Sequence, residues 1–431
     1  VLCALVMIAL HLPGAASASP NAVADLGTLG GAVAKPMGIN QYRWINPAGG
    51  AWSTASNWDP QGVPDGGDWA FFDLAGQYSI DTTSFAPPPG EAPAVAAAPR
   101  GVIVEGTNTT VDFHNLNLNI LSDSPADPGL QVGSEGIVNI HSGSGTFVHG
   151  ALGVLSSTAA NPARLQVFNS GTTLTGTGGL LIGDEGQGDL FVANGGHLTS
   201  AEARLGGLVS TGLGTAVVGG DGSLWETGNL AVGYGTQGFL TIESGGRVDS
   251  NDAYVSWGVL SADSQVTVDG VGAATSQASL WALLGSLTVG QTDYGEVDVL
   301  NGADLYVSQD VQVKNGYLNI EGRLPSGDPS DLDVLGSVFV GGAGTANLLA
   351  LRNAAKGDID GDLILGRDGV GAAILWGAAV TSNPTWLEVV DPQAGLCAIG
   401  RAFDGGVSLD DGGLLRCQRI ELGGPAGTTG A

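Results

Sequence analysis

The stretch VGYGTQGFLTIESGGRVDS, from Val232 to Ser250, decides the fold because altered copies of it recur along the chain. Ile182 to Ser200 reads IGDEGQGDLFVANGGHLTS, and Val289 to Val307 reads VGQTDYGEVDVLNGADLYV. The leading glycines of this series are spaced 50, 50, 57 and 51 residues apart, at Gly133, Gly183, Gly233, Gly290 and Gly341. Such a period is typical of stacked repeats and argues against a closed globule.

Within each repeat the residue pattern predicts short strands and tight turns. Apolar and polar residues alternate in Phe239 to Ile242 and in Glu296 to Leu300, as in half-buried strands, and S-G-G or N-G-A triplets follow as turns. Gly183 is followed by Gly206 close to the middle of the period, so each period holds two coils. We therefore predict an all-β parallel β-helix, or β-solenoid, of about 12 coils and roughly 60 Å length, with an N-terminal aromatic-rich capping segment.

Two glycines of each repeat are predicted to lie at corners of the coil. Glycine adopts positive φ at low cost, so its recurrence at fixed offsets indicates a backbone requirement and not a chemical one. These structural repeat glycines are Gly183, Gly195, Gly233, Gly245, Gly290 and Gly302.

Composition narrows the possible partners. The chain of 431 residues has 73 glycines, only 13% charged residues, and 14 basic against 42 acidic residues, a formal charge of −28. Such a field repels phosphate groups, so nucleic acid and anionic membrane surfaces are poor partners. An extracellular glycan or another cell-envelope component remains possible, and the sequence sets no oligomeric state.

The N-terminus predicts export. Val1 to Leu12 (VLCALVMIALHL) is apolar but too short to span a bilayer, and PGAASAS follows, so residues 1–18 are interpreted as a signal peptide and the protein as secreted or on a bacterial cell surface. We expect no membrane span. With Cys3 removed, Cys397 and Cys417 are the remaining thiols, and their separation is close to the length of one coil. They could form a disulfide in an oxidising compartment, or be two independent buried cysteines.

The remaining segments follow from composition. Residues 19–43 hold DLGTLGGAVAKPMGIN, residues 44–86 form a Trp-rich N-terminal cap, and residues 87–100 a Pro/Ala-rich loop or linker. The solenoid repeats are expected over residues 101–423, before a truncated or disordered tail at 424–431.

The Trp-rich segment has two interpretations. Its spacing W-x7-W-x5-W places Trp44, Trp52 and Trp58 where exposed rings could contact a glycan. Alternatively, these rings pack with Trp69, Phe71 and Phe72 over the open end of the first coil and cover its unpaired strand edges.

The repeat unit resembles one shared by type V secretion (autotransporter) passengers and PEP-CTERM exported proteins of bacteria. Val218 to Gly246 is the closest copy, Val268 to Leu305 with Trp281 is a second, and Val167 to Gly196 is a third in which Leu174 stands near the tryptophan position. The segment from Asp25 to Asn40 resembles a single HAF repeat of extracellular bacterial proteins. The resemblance implies a β-solenoid surface protein without assigned catalytic residues.

The sequence gives only weak evidence for catalytic or metal-binding sites. The acidic residues fall mostly in predicted turns, as at Asp184, Glu185, Asp221, Asp249 and Asp252, and we find no paired carboxylates with a nearby basic residue of the kind that polysaccharide lyases and hydrolases need. His114, His141, His149 and His197 have no partner at ligand spacing, although stacking of coils could bring two of them together.

One acidic motif has the beginning of a calcium loop. Asp358, Asp360 and Asp362 form D-x-D-x-D, but Leu363 and Gly369 stand where such a loop needs glycine and a bidentate acid. A surface turn is favoured over a calcium site.

The sequence thus predicts a secreted bacterial structural or adhesive surface β-solenoid, with no catalytic activity and no cofactor. The alternatives are an extracellular carbohydrate-active β-helix, either a polysaccharide lyase or a glycoside hydrolase, and a glycan-binding module.

Overall fold

The structure is a computed structural model that describes residues 40–82, 98–124, 127–133, 135–154, 161–208, 210–323, 328–342, 347–377, 384–389, 395–400 and 403–423. The predicted signal peptide, almost all of the HAF-like segment, most of the Pro/Ala-rich segment and the tail at 424–431 lie outside these residues. Apart from the 3-10 turn Ala55–Asn57, the regular elements of the described residues are strands.

The described chain is a parallel β-solenoid built from three ladders. Every coil from Thr109 onward contributes a strand to all three, and the coils before it contribute strands to two. The first ladder, the long-strand sheet, has 14 strands paired in parallel from coil to coil. Its strands are Gly50–Ala51, Gly76–Asp81, Thr109–His114, Ile137–Ile140, Ala163–Phe168, Gln187–Ala193, Leu213–Gly219, Gly238–Glu243, Ser264–Asp269, Gly295–Leu300, Gly316–Glu321, Asn347–Arg352, Gly371–Trp376 and Gly405–Asp410.

The second ladder, called the middle ladder, begins one turn further along each coil. Its strands are Leu116–Asn119, Gly143–Phe147, Thr173–Gly176, His197–Leu205, Leu224–Val232, Arg247–Ser250, Leu280–Leu283, Asp304–Val307, Asp331–Val334, Lys356–Ile359, Trp386–Val389 and Leu414–Cys417.

The third ladder, called the short-strand ladder, completes each coil and shares the long strands His197–Leu205 and Leu224–Val232 with the middle ladder. Its other strands are Gln41–Trp44, Trp69–Phe72, Gly101–Val104, Leu130–Val132, Gly150–Leu152, Gly179–Ile182, Ala253–Val255, Leu287–Val289, Val311–Val313, Val338–Val340, Leu363–Leu365, Leu396–Ile399 and Arg419–Leu422. Trp58–Asp59 pairs antiparallel with Gln41–Trp44, and Asp123–Ser124 with Asp127–Pro128.

Register shows that the coils differ in length. Val232 pairs with Val255, and Val255 pairs with Val289, so a compact coil is followed by a clearly longer one. The predicted coil, half of one repeat period, is confirmed for the compact coils, and loops enlarge the others. The solenoid also begins before residue 101, because Trp69–Phe72 and Gly76–Asp81 already pair in parallel with the next coil.

The core is a column of aliphatic side chains enclosed by the three ladders. Alternate residues of each strand point inward, so successive coils place Val266, Val297 and Leu318 in one line, and Val255, Val289 and Val313 in another, all fully buried. Burying this surface is the main favourable contribution to folding.

The repeat tryptophans belong to this core. Trp225 pairs with Val248, which pairs with Trp281, and both rings are 0% exposed. Their Nε1 atoms donate to Ser200 Oγ and Ser250 Oγ at 3.3 and 3.2 Å, so the one polar atom of each ring has a partner. Leu174 lies in the same column through Leu198, as its place in the repeat suggested.

Corners of the coil use residues with positive φ. All six repeat glycines have φ between 71° and 86°. In three repeats the residue before the corner glycine is also left-handed, at Asn194, Ser244 and Asn301 with φ of 53° to 54°. Two consecutive positive φ values are the requirement of a type I′ turn, for which Asn-Gly is the preferred pair.

Buried hydroxyls join these corners between coils. Ser279 Oγ accepts a hydrogen bond from the N–H of Gly245 at 3.0 Å and donates to the carbonyl of Asp269 at 2.7 Å. Ser330 does the same with Gly302 and Glu321. Each hydroxyl is fully buried and satisfies a corner N–H that the ladders leave unpaired.

Candidate functional site

The glycan-contact interpretation of Trp44, Trp52 and Trp58 is wrong, because the three side chains are only 0 to 1% exposed. Trp58 lies in T-shaped contact with Trp44 at 5.0 Å and with Trp52 at 4.8 Å between ring centroids. Phe72 packs against Trp58 at 5.5 Å and continues the cluster into the first coils. The arrangement is that of a cap, the alternative that the sequence left open.

The composition of the cap differs from the expectation in two residues. Trp69 and Phe71 alternate with the inward-facing Phe72 along one strand, so they point away from the core. They form a separate buried cluster with Ile103 of the next coil.

The two cysteines of the expected mature chain form a disulfide. Cys397 and Cys417 are bonded with their Cα atoms 6.0 Å apart. Cys417 belongs to the last described coil and Cys397 to the coil before it, so the bond joins neighbouring coils within the core.

The D-x-D-x-D motif does not gather its three carboxylates around one point. Asp358 forms an ion pair with Lys356, with Oδ2 and Nζ 2.5 Å apart. Asp362 instead accepts a hydrogen bond from the backbone N–H of Leu396 at 3.1 Å. This bond stabilises the start of a strand in the neighbouring coil. Among the described residues, no group of three or more His, Cys, Asp or Glu side chains is placed to hold a metal ion.

Stacking does bring two histidines together. The rings of His114 and His141 lie parallel with centroids 4.9 Å apart, and His141 Nε2 is 3.5 Å from Asp112 Oδ1. Phe168 continues the stack at 5.7 Å. His141 therefore lies between two rings, with His114 on one face and Phe168 on the other.

The main group of titratable side chains lies on the outer face of the middle ladder. Asp304, Asp331 and Lys356 occupy the same outward position in three successive coils, and Trp386 follows in the fourth. Lys356 Nζ lies 3.3 Å from Asp331 Oδ2 and 5.1 Å from the centroid of Trp386. With Asp358, which also bonds Lys356, these residues are called the Asp–Lys cluster.

Burial and mutual repulsion set the protonation of the cluster. Burial, followed by the charge of Asp331, raises the pKa of Asp304 to about 7. Burial also raises the pKa of Asp331, although Lys356 opposes that change. Burial favours neutral Lys356, but its hydrogen bond and charge interaction with the two carboxylates outweigh burial and raise its pKa. At neutral pH the cluster therefore holds a carboxyl group near its titration point beside a charged lysine.

The prediction that no paired carboxylates lie near a basic residue is therefore wrong. Sequence reasoning missed the cluster because it assigned the acids to turns, whereas Asp304 and Asp331 lie on strands. A signal was present, since Asp304, Asp331 and Asp358 are evenly spaced in the chain at close to one coil length. Asp249, taken as a turn residue, also lies on a strand, where Arg247 Nε donates to it at 2.7 Å.

A comparison with known protein families, curated proteins and solved structures finds no match for this chain. No helix formed by the described part of the chain is long and apolar enough to cross a membrane.

Proposed function

We propose that this chain is an exported bacterial surface protein whose β-solenoid serves as a rigid structural or adhesive shaft without catalytic activity. The observation that carries the proposal is the continuous parallel register of the long-strand sheet and the short-strand ladder through all described coils, which the middle ladder joins from Leu116 onward. Every coil adds to one unbroken apolar column, so the whole stack resists bending and presents long side faces to its surroundings.

Two further observations support export. The Cys397–Cys417 disulfide is the kind of bond that persists in oxidising compartments. The net charge of −28 keeps a long, apolar-cored protein dispersed outside the cell. The resemblance of the repeat to those of exported bacterial proteins points the same way.

Protease treatment of intact cells tests this proposal. Cells expressing the full gene should lose the solenoid when external protease is added, and antibodies raised against it should label unbroken cells. A solenoid found only after lysis would overturn the proposal, with a cytoplasmic protein as the matched control.

The Asp–Lys cluster favours a second candidate function, hydrolysis of extracellular polysaccharide. A carboxyl group with a pKa of about 7 can donate a proton at neutral pH, and Asp331 and Asp358 supply carboxylates nearby. We rank it second because Lys356 binds both of these carboxylates and reduces their availability as a base or nucleophile.

Asp304→Asn separates the two functions. If the cluster is catalytic, the wild type releases reducing sugar ends from a polysaccharide panel and the variant does not. If the chain is a shaft, neither protein releases sugar ends.

The same variant should change the pH dependence of stability. The folded pKa of Asp304 lies above its usual value, so its contribution is fully present below about pH 4 and is lost as pH rises through 7. Between pH 5 and 8 we expect the wild type to lose roughly 1–3 kcal/mol more than Asp304→Asn in urea denaturation. Asp368→Asn, at a carboxylate 60% exposed, is the control and should follow the wild type.

A further inference from the structure

A second group of aromatic side chains differs from the cap because it stands at the surface. Tyr234 and Trp257 follow the short-strand ladder in successive coils, where the N–H of Trp257 donates to the carbonyl of Gly233 at 2.8 Å. Tyr254 lies on the adjoining strand, with its ring perpendicular to that of Trp257 and the centroids 4.2 Å apart. All three are half-buried. Together they are called the aromatic corner.

The aromatic corner is held in place by packing from below. The guanidinium of Arg204, itself almost fully buried, lies 4.2 Å from the centroid of Tyr234 and covers one face of that ring. Ala231 separates Arg204 from Tyr254 in the ladder, so the small side chain between them leaves room beside the ring of Tyr254. Tyr234, packed on Arg204, and Tyr254, packed on Trp257, lose little conformational entropy when a ligand binds.

A row of polar side chains runs beside the rings, one from each of three successive coils. Glu202 pairs with Asn229, and Asn229 and Asp252 directly precede the paired residues Leu230 and Ala253. The row therefore presents a carboxylate, an amide and a carboxylate in order along the solenoid axis. All three side chains are half-buried, so their polar atoms remain within reach of solvent.

Several polar atoms of this surface have no partner within the part of the chain that is described. The side-chain amide of Asn229, the hydroxyls of Tyr234 and Tyr254, and Nε1 of Trp257 make no hydrogen bond there. Asp252 Oδ1 accepts from the N–H of Ser286 at 2.8 Å, which leaves its other oxygen available. Glu202 Oε2 lies 3.7 Å from Arg204.

We infer that the aromatic corner and its polar row form a lateral binding site for a neutral polysaccharide. Ring faces of this kind pack against the apolar faces of sugar rings, while carboxylate and amide groups bind hydroxyls in fixed directions. The ligand is neutral because Asp252 and the overall charge of −28 repel uronate and sulfate groups, whereas the charge of Glu202 is offset by Arg204 beside it. This inference rests on the proposed surface function and names the class of partner.

An apolar peptide is the competing occupant, because Leu208, Val259 and Leu260 are exposed on neighbouring turns. The polar row favours the polysaccharide, since a peptide packing against the rings would leave the Asn229 amide and the two carboxylates desolvated.

Affinity electrophoresis tests the inference with the protein as it exists. Gels contain laminarin, mixed-linkage β-glucan, galactomannan or dextran as neutral polymers, and polygalacturonate as the anionic one. The wild type should be retarded by at least one neutral polymer and not by polygalacturonate. Trp257→Ala should weaken that binding about tenfold or more, and Asn229→Ala should weaken it less.

Trp376→Ala is the matched control, because Trp376 is a tryptophan 48% exposed on the long-strand sheet. It should bind like the wild type, and thermal unfolding of every variant shows whether the fold is retained. The inference is overturned if no neutral polymer retards the wild type, if polygalacturonate retards it more strongly, or if Trp257→Ala folds and binds normally. Surface exposure on intact cells is measured separately, so the two proposals can fail independently.

Discussion

The two ends of the described solenoid have the same inward-facing pattern but bury it to different extents. At the N-terminal end Trp44, Trp52 and Trp58 are at most 1% exposed. In the last described coil the inward positions Leu409, Ile420 and Leu422 are 50, 55 and 65% exposed. Their pairing partners one coil earlier are buried, as Leu375 and Ile399 show.

The difference shows that the alternating strand pattern alone does not cover the apolar core at an end of a solenoid. Each coil is buried by the next one, so an end requires a segment that does not continue the stack. At the N-terminal end large aromatic rings cross the core and the antiparallel strand Trp58–Asp59 covers the free edge of Gln41–Trp44. The last described coil is joined to its neighbour by the Cys397–Cys417 disulfide.

The largest effect is expected from Trp58→Ala. Removing a fully buried ring that contacts Trp44, Trp52 and Phe72 leaves a cavity, and we expect a loss of about 3–5 kcal/mol in urea denaturation. Hydrogen exchange should rise in the N-terminal coils before the C-terminal ones. Trp376→Ala, at an exposed ring, should cost far less, and equal losses in the two variants would contradict the capping role.

A smaller effect is expected when the disulfide is removed. Cys397→Ala with Cys417→Ala should lower stability by about 2–4 kcal/mol, because the bond limits the unfolded chain over a separation of 20 residues. Hydrogen exchange should increase in residues 405–422 and remain unchanged near residue 58. Reducing agent should reproduce the change in the wild type, and an unaltered C-terminal coil would rule out the stapling role.

Interior coils give the reference for both ends. Ser279→Ala removes the hydroxyl that bonds the corner N–H of Gly245 and should cost about 1–2 kcal/mol, since that N–H becomes buried without a partner. Ser279→Thr, which keeps a hydroxyl, should recover part of the loss. Thermal unfolding of both variants measures this loss of stability. Equal unfolding midpoints for Ser279→Ala and the wild type would mean that the N–H of Gly245 forms another hydrogen bond.

The smallest effect is expected at Leu422 of the last described coil. Leu422→Ser should change stability by less than about 0.5 kcal/mol, because the side chain is already largely in water. Ile399→Ser, at the paired and buried position one coil earlier, should cost several-fold more. A large effect at Leu422 would show that this end is covered in solution.

The sequence correctly predicted the stacked coils and their corners, because the alternation of apolar and polar residues and the spacing of glycines are local features. It left the role of Trp44, Trp52 and Trp58 open. The local sequence around a tryptophan in a turn-rich segment does not indicate whether the ring is exposed or buried. The Asp–Lys cluster and the aromatic corner were missed, because their members are far apart in the chain and meet only through register.

The amino-acid sequence by itself determined which residues of each strand face inward and where the backbone bends, since both depend on a few neighbouring residues. Only the tertiary structure decided which side chains of different coils become neighbours. Asp304, Asp331 and Asp358 are evenly spaced in the chain, yet the coil after Asp331 is slightly shorter than that spacing, so Lys356 takes the place in the column. A small difference in loop length therefore places a lysine beside Asp331 where even spacing would place a third carboxylate.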